Sequence, residues 1–264
     1  MNQDDSIITS DPTSITQLTI ADGNMTNIIS ISKLINLTDL KLGINRIKRL
    51  HQLDSLTKLQ HLNIAYNKLK KIKQLAELKL LVSLIINKNQ IKSIRPLINC
   101  TSLTTLIITD NRIKSIQTIK HLQHLTHLDL SSNRIINIKP IASCRQLVSL
   151  VLDNNLISDI SALVGCVKLA KLSISTNLLV SITPIAKLTN LTKVNVSNNI
   201  DLESLRGIDQ CERLRKLYCH FCSIDSVEPL INCIDLVYLN CLYNRITTIE
   251  PIKHLPLLTT ILHE

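Results

Sequence analysis

The residues best suited to chemistry are the two cysteines in the stretch Tyr218-Cys219-His220-Phe221-Cys222. A C-x-x-C spacing with a histidine between is that of half a zinc site or of a redox dithiol. Zinc needs two further ligands converging tetrahedrally, and a reactive dithiol of the thioredoxin kind sits at a helix N-terminus. A second cluster, His121, His124 and His127, offers three imidazoles close together in the chain. Phosphate-cradling, nucleophile-elbow and metalloprotease motifs (G-x-x-x-x-G-K, G-x-S-x-G, H-E-x-x-H) do not occur, and the chain has only 4 Gly. What the cysteines and histidines can do therefore depends on the elements that carry them.

Those elements repeat. The segments LTDLKLGINRIKRL, LQHLNIAYNKLKKI, LTTLIITDNRIKSI and LTHLDLSSNRIINI align as L-x-x-L-x-L-x-x-N-x-I-x-x-I. The leading Leu recurs at Leu37, Leu59, Leu81, Leu103, Leu125, Leu147, Leu169 and Leu191, then at Leu214 and Leu236, with a fragment from Leu258. The stretch between Leu191 and Leu214 carries one inserted residue, and a degenerate first copy starts at Ile15. L-x-L alternation has the period of a strand, with Leu/Ile inward and the intervening residues outward. One repeat cannot bury its apolar edge alone, so neighbours stack around a continuous core with their strands paired in parallel. A single Phe and no Trp fit that scheme, since equal niches call for one filler. Asn at the ninth position (Asn45, Asn67, Asn89, Asn111, Asn133, Asn155, Asn177, Asn199, Asn244) reads as a structural ladder that bonds the backbone of adjacent coils.

In this register the chemistry recedes. Cys100, Cys144, Cys166, Cys211 and Cys233 occupy the twentieth position, where other copies place Leu34, Leu56 and Leu78. Cys219 and Cys241 take the sixth position in place of Leu or Ile, and Cys222 takes the ladder position in place of Asn. All eight read as small buried hydrophobes. The three histidines fall at the nineteenth, twenty-second and third positions, spread around the coil. No catalytic residue, metal ligand or cofactor site is expected, and the chain reads as a non-enzyme.

The pattern resembles the leucine-rich repeat family over nearly the whole chain, in the 22-residue class typified by the regulatory subunit of type-1 protein phosphatase and by bacterial internalins. The resemblance implies an α/β solenoid, a horseshoe or arc with a concave parallel β-sheet and a convex side of turns and short 3₁₀ segments. Pro96, Pro140, Pro184, Pro229 and Pro251, all at the sixteenth position, suit such a return side. The domain boundaries expected are a polar N-terminal segment over 1–14 and one solenoid over 15–264, about eleven repeats and a terminal fragment. The implied function is protein–protein recognition or scaffolding on the concave face. If the phosphatase likeness carries function, the partner is a type-1 phosphatase catalytic subunit, held by concave acids and aromatics such as Asp39, Asp129, Asp153, Tyr218 and Tyr238. The internalin likeness implies an alternative, a surface adhesin.

Two surface patterns suggest where a partner binds. Four of the five aromatics, Tyr218, Phe221, Tyr238 and Tyr243, lie within 218–243 outside the Leu pattern, with His220 among them. Standing on or beside the sheet face, they have the character of a binding hot spot. The net charge of +10 is also uneven: residues 33–140 carry 19 Lys/Arg against 5 Asp/Glu, and residues 141–264 carry 11 against 11. Arg46, Lys68, Arg112 and Arg134 share the tenth position and Lys48, Lys70, Lys92 and Lys114 the twelfth, forming a basic ridge. Such a ridge suits a phosphoprotein or nucleic acid. Nucleic acid is the poorer fit, because only Tyr66 is nearby to stack on a base.

No basic-then-apolar leader is evident and no window has the roughly 18 apolar residues of a membrane helix. Eight thiols then point to a reducing compartment, the cytoplasm with the nucleus also open to it. An open sheet edge at the C-terminal end offers weak self-association.

Overall fold

The computed structural model describes residues 11–263. Of the polar segment expected over 1–14, residues 1–10 lie outside that range. The chain forms two compact units that divide between Leu125 and Thr126, at the start of a repeat.

Each unit is a stack of near-identical coils. The first contains β1 (Gln17–Thr19), β2 (Asp39–Lys41), β3 (His61–Asn63), β4 (Ser83–Ile85) and β5 (Thr105–Ile107), all parallel and in chain order. The second contains β6 (His127–Asp129), β7 (Ser149–Val151), β8 (Lys171–Ser173), β9 (Lys193–Asn195), β10 (Lys216–Tyr218), β11 (Tyr238–Asn240) and β12 (Thr260–Leu262). Pairing joins equivalent residues: Leu40 lies opposite Leu62, and Leu150 opposite Leu172. The inserted residue is absorbed outside the strands, since Val194 still pairs with Leu217. The chain returns through 3₁₀ turns, five of which carry the sixteenth-position proline as their second residue. A proline there has no amide to leave unpaired, and its fixed φ suits the turn.

Seven apolar side chains fill each coil. In the copy starting at Leu37 they are Leu37, Leu40, Leu42, Ile47, Leu50, Leu53 and Leu56, all fully buried. The ladder stitches coils together as expected. Asn67 accepts from the Ile47 amide through Oδ1 at 2.9 Å, and its Nδ2 donates to the carbonyls of Leu42, Ile64 and Ala65. Asn155 and Asn177 do the same in the second unit.

Cys222 departs from this pattern in step with the insertion. The coil before it bends differently, so the Leu202 amide donates to the Asn199 carbonyl at 3.0 Å instead of waiting for a ladder side chain. That amide needs no ladder acceptor at position 222. The thiol there donates weakly toward the Val196 carbonyl at 3.5 Å, and the Asn199 and Asn198 amides are directed at its sulfur. The same coil holds Gly207 at φ 107, where an added Cβ would come within 2.9 Å of the Ile182 carbonyl oxygen.

One regularity is invisible in the consensus. The eighth residue of every coil is left-handed, with φ between 50 and 58 at Asp22, Ile44, Tyr66, Lys88, Asp110, Ser132, Asn154, Thr176, Asn198, Phe221 and Tyr243. This conformation turns its amide toward the next coil: Ile44 N–H donates to Ala65 O at 3.0 Å, and Thr176 N–H to Ser197 O at 2.9 Å. For a β-branched residue that geometry is strained by about 1–2 kcal/mol. Ile44 is mostly exposed and surrenders little burial if replaced. The substitution Ile44→Asn is expected to stabilise the protein by about 1 kcal/mol, since Asn tolerates the left-handed region; an unchanged urea midpoint would refute this.

Candidate functional site

All eight cysteines are free thiols buried in the core. Desolvation pushes them up, to about 11 for Cys100, Cys166, Cys222 and Cys241 and about 12 for Cys144, Cys211 and Cys233, with Cys219 well above its ordinary value. Thiols held protonated in this way are neither nucleophiles nor ready metal ligands. Cys100, Cys166 and Cys233 instead direct their S–H groups to carbonyls of the preceding coil, at 3.3, 3.7 and 3.6 Å. Among the described residues no three His, Cys, Asp or Glu side chains gather as metal ligands do. His121, His124 and His127 are all exposed.

The residues between the cysteines face outward and are brought together across adjacent coils. Tyr218 on β10 and Tyr238 on β11 pack with ring centroids 5.0 Å apart. Just past the strands, Phe221 and Tyr243 stack at 4.3 Å and 16°, each about half exposed. His220 meets Phe221 edge-on and is hydrogen-bonded through Nδ1 to Ser197 Oγ at 3.0 Å. Partial burial holds His220 below the usual imidazole range, so it is neutral at pH 7. The left-handed backbone at the eighth position explains the second pair: it projects the Phe221 and Tyr243 side chains at the same point of successive coils.

Sequence inspection missed the cations beside this aromatic group. Lys171, Lys193, Arg215 and Lys216 line a pocket of about 420 Å³ with Thr192 and Val237. Lys193 Nζ sits 5.4 Å from the Tyr218 ring, a cation–π contact that joins the pocket to the aromatics. The balanced charge of residues 141–264 conceals this cluster. The signal that could have found it is the third position, where Lys171, Lys193 and Lys216 recur on successive strands.

The two acids expected beside the aromatics also serve the backbone. Asp129 accepts from the Ser131 amide and hydroxyl. Asp153 accepts from Ser173 Oγ through both carboxylate oxygens and from the Ser175 amide at 2.7 Å. Asn63, Asn195 and Asn240 do for their coils what Asp129 does for its own. Where the fifth position is Ser173, Asp153 reaches over from the previous coil to satisfy the strand-exit amide.

In the first unit, the basic ridge resolves into two adjoining pockets. One, of about 600 Å³, is lined by Lys48, Arg49, Lys68, Lys70, Lys71 and Lys73, with Gln74 and Gln90. The other, of about 1050 Å³, shares Lys70, Lys71, Lys73 and Gln90 and adds Lys92, Arg95 and Arg112 around Ile72, Ala76, Pro96 and Ile98. Neither lining contains an acid or a Phe, Tyr or Trp ring, and the first also includes His51. Among the described residues the one ion pair is Lys253 with Glu250, so all nine cations are uncompensated. Arg46 and Lys114 stand outside both linings, and Arg134 belongs to the second unit. Arg49, Lys71, Lys73 and Arg95 were not anticipated, because they lie outside the two columns that the repeat register picks out.

Comparison with known proteins agrees with this architecture. Residues 79–121, 123–165 and 212–254 match the family model for leucine-rich repeats in two copies. An internalin from Listeria monocytogenes is 27% identical over 94% of this chain and 86% of its own, with a TM-score of 0.66. Internalin C2 from the same organism is 31% identical, covering 69% of this chain and 81% of its own, with a TM-score of 0.68. A leucine-rich repeat protein of Leptospira interrogans, 22% identical, superposes over 96% of this chain with a TM-score of 0.85 and shows the shared fold. No curated protein matches the chain. Among the described residues, no helix is long and apolar enough to cross a membrane. With the coil pattern, the ladder and the 31% relative in agreement, the chain belongs to the leucine-rich repeat family.

Proposed function

We propose that the protein is a non-catalytic recognition module that binds a partner protein on the sheet face of its second unit. Leucine-rich repeat proteins generally mediate protein–protein interaction. The observation that carries the reading here is the half-buried Tyr218/Tyr238 pair and the exposed Phe221/Tyr243 pair, on adjacent coils beside the pocket of Lys171, Lys193, Arg215 and Lys216. Stiff aromatic side chains bury much area at low entropic loss, and a cationic flank selects a partner with carboxylates or phosphates next to an apolar patch. Asp129 and Asp153, each accepting from one backbone amide, are held in fixed positions on this unit.

A type-1 phosphatase catalytic subunit is one specific partner this reading admits, and the cytoplasm or nucleus the compartment in which to look. The test is affinity purification from the native cell with wild type and with Tyr218→Ala/Tyr238→Ala. The double variant is expected to lose its principal co-purifying protein, with affinity reduced by about a hundredfold or more. An unchanged set of co-purifying proteins would sink the proposal. Phosphatase activity in the wild-type eluate, absent from the variant's, would favour the phosphatase reading.

A second reading, binding of an anionic partner by the first unit, is favoured by the nine uncompensated cations of its two pockets.

A further inference from the structure

We infer that the two pockets of the first unit hold an acidic segment of a partner protein that carries an apolar side chain among its carboxylates. This rests on the second reading above and narrows it from any anion to an amphipathic peptide.

Three observations select that occupant. The charge is one-sided: the linings contain Lys and Arg with no carboxylate to answer them. The larger pocket also has an apolar floor, where Ala76, Pro96 and the exposed Ile98 stand between Lys73, Arg95 and Arg112. A phosphate backbone has nothing to place on such a floor, whereas a leucine or isoleucine side chain buries itself there. Finally, neither pocket has a Phe, Tyr or Trp ring, the usual stacking support for single-stranded nucleic acid, and the one imidazole, His51, lines only the smaller. The pockets share Lys70, Lys71 and Lys73, so one continuous segment can lie across both, its carboxylates along the shared lysines and its apolar residue in the larger. Charge complementarity steers the encounter and the apolar residue retains the segment, because exposed ion pairs by themselves contribute little.

The experiment uses the full chain and three labelled probes followed by fluorescence anisotropy: a short peptide of Glu and Asp with one central Leu, the same peptide with Gly at that position, and an oligothymidylate of equal charge. The Leu peptide is expected to bind about tenfold more tightly than the Gly peptide. Replacing Lys70, Lys71 and Lys73 by Gln should weaken the Leu peptide about tenfold or more, and Ile98→Ser should remove its advantage over the Gly peptide. All four side chains are on the surface, so folding is not at issue, and circular dichroism checks it. Arg46→Gln/Lys114→Gln removes charge of the same ridge outside the pockets and should change the affinity far less. Equal binding of the Leu and Gly peptides, preference for the oligothymidylate, or equal loss in the Arg46/Lys114 variant would each overturn the inference while leaving general anion binding intact. If none of the three probes binds at low salt, the inference and the second reading both fall.

Discussion

Raising the pH past 9 is expected to unfold the protein before about pH 11. The cause is the column of buried thiols. Unfolded, each ionises near 9.0; folded, desolvation holds most of them protonated to about 11 or 12. Above 9 the folded state therefore binds more protons than the unfolded one, and stability falls as pH rises. Each thiol contributes about 1.4 kcal/mol of loss per pH unit across that window. With eight of them, a single unit removes an amount comparable to the whole stability of a typical domain, about 5–15 kcal/mol. Below 9 both states are protonated and the effect vanishes. Circular dichroism against pH, with thiol labelling in parallel, should show loss of structure and thiol exposure at one midpoint. Replacing Cys100, Cys144, Cys166, Cys211 and Cys233 together by Leu, the residue that Leu34, Leu56 and Leu78 supply at the same position, should move that midpoint up by about a pH unit. If the midpoint stays where it was, the thiols are not responsible.

The substitution Asn67→Ala is expected to destabilise the protein by about 3 kcal/mol, and Cys222→Ala by only about 1 kcal/mol. Both residues occupy the ninth position and both are buried. Removing the Asn67 amide leaves the Ile47 N–H without its acceptor in a dry interior and takes one of two donors from each of the Leu42, Ile64 and Ala65 carbonyls, which keep Asn45 Nδ2, Asn89 Nδ2 and the Ile44 N–H. Removing the Cys222 thiol leaves the Leu202 N–H on the Asn199 carbonyl and the Asn198 N–H on the His220 carbonyl, and forfeits only weak amide contacts to sulfur. Urea titrations of the two variants measure the difference directly. Equal losses would mean that the ladder acts by side-chain volume rather than by hydrogen bonding.

The fold was legible because one rule is written many times over. Each Leu of the L-x-x-L-x-L pattern has the same buried niche, and a single ambiguous copy is corrected by its neighbours. The cysteines were equally readable once in register: Cys219 stands where Leu stands, and burial follows. The candidate sites were legible only in part, and for a physical reason. Tyr218, Phe221, Tyr238 and Tyr243 stood out by composition; the Phe221–Tyr243 stack followed from a shared position on adjacent coils, whereas Tyr218 and Tyr238 meet diagonally from the fifth and third positions. Lys193 and Arg215 did not stand out, because charge averaged over a long segment hides a cluster formed across coils. Asp153 looked available from its outward position. Its engagement with Ser173 and Ser175 depends on what the next coil lacks, a relation between two copies and not a property of either. The left-handed eighth position was hidden most completely, since residues as different as Ile44, Asp110 and Phe221 fill it.

That last diversity has a further consequence. At the eighth position the backbone N–H works for the coil stack while the side chain stays out of the core and meets only its neighbours on the surface, so structure and surface chemistry are separated within one residue. Each unit therefore carries a writable track, one letter per coil, on which any non-proline residue keeps the inter-coil hydrogen bond and differs only in modest local strain. Phe221 and Tyr243 are two letters of one word on that track; Tyr66 and Lys88, whose ammonium lies 4.8 Å from the ring centroid, are two of another. New binding surfaces can be composed there by exchanging letters without disturbing a single leucine.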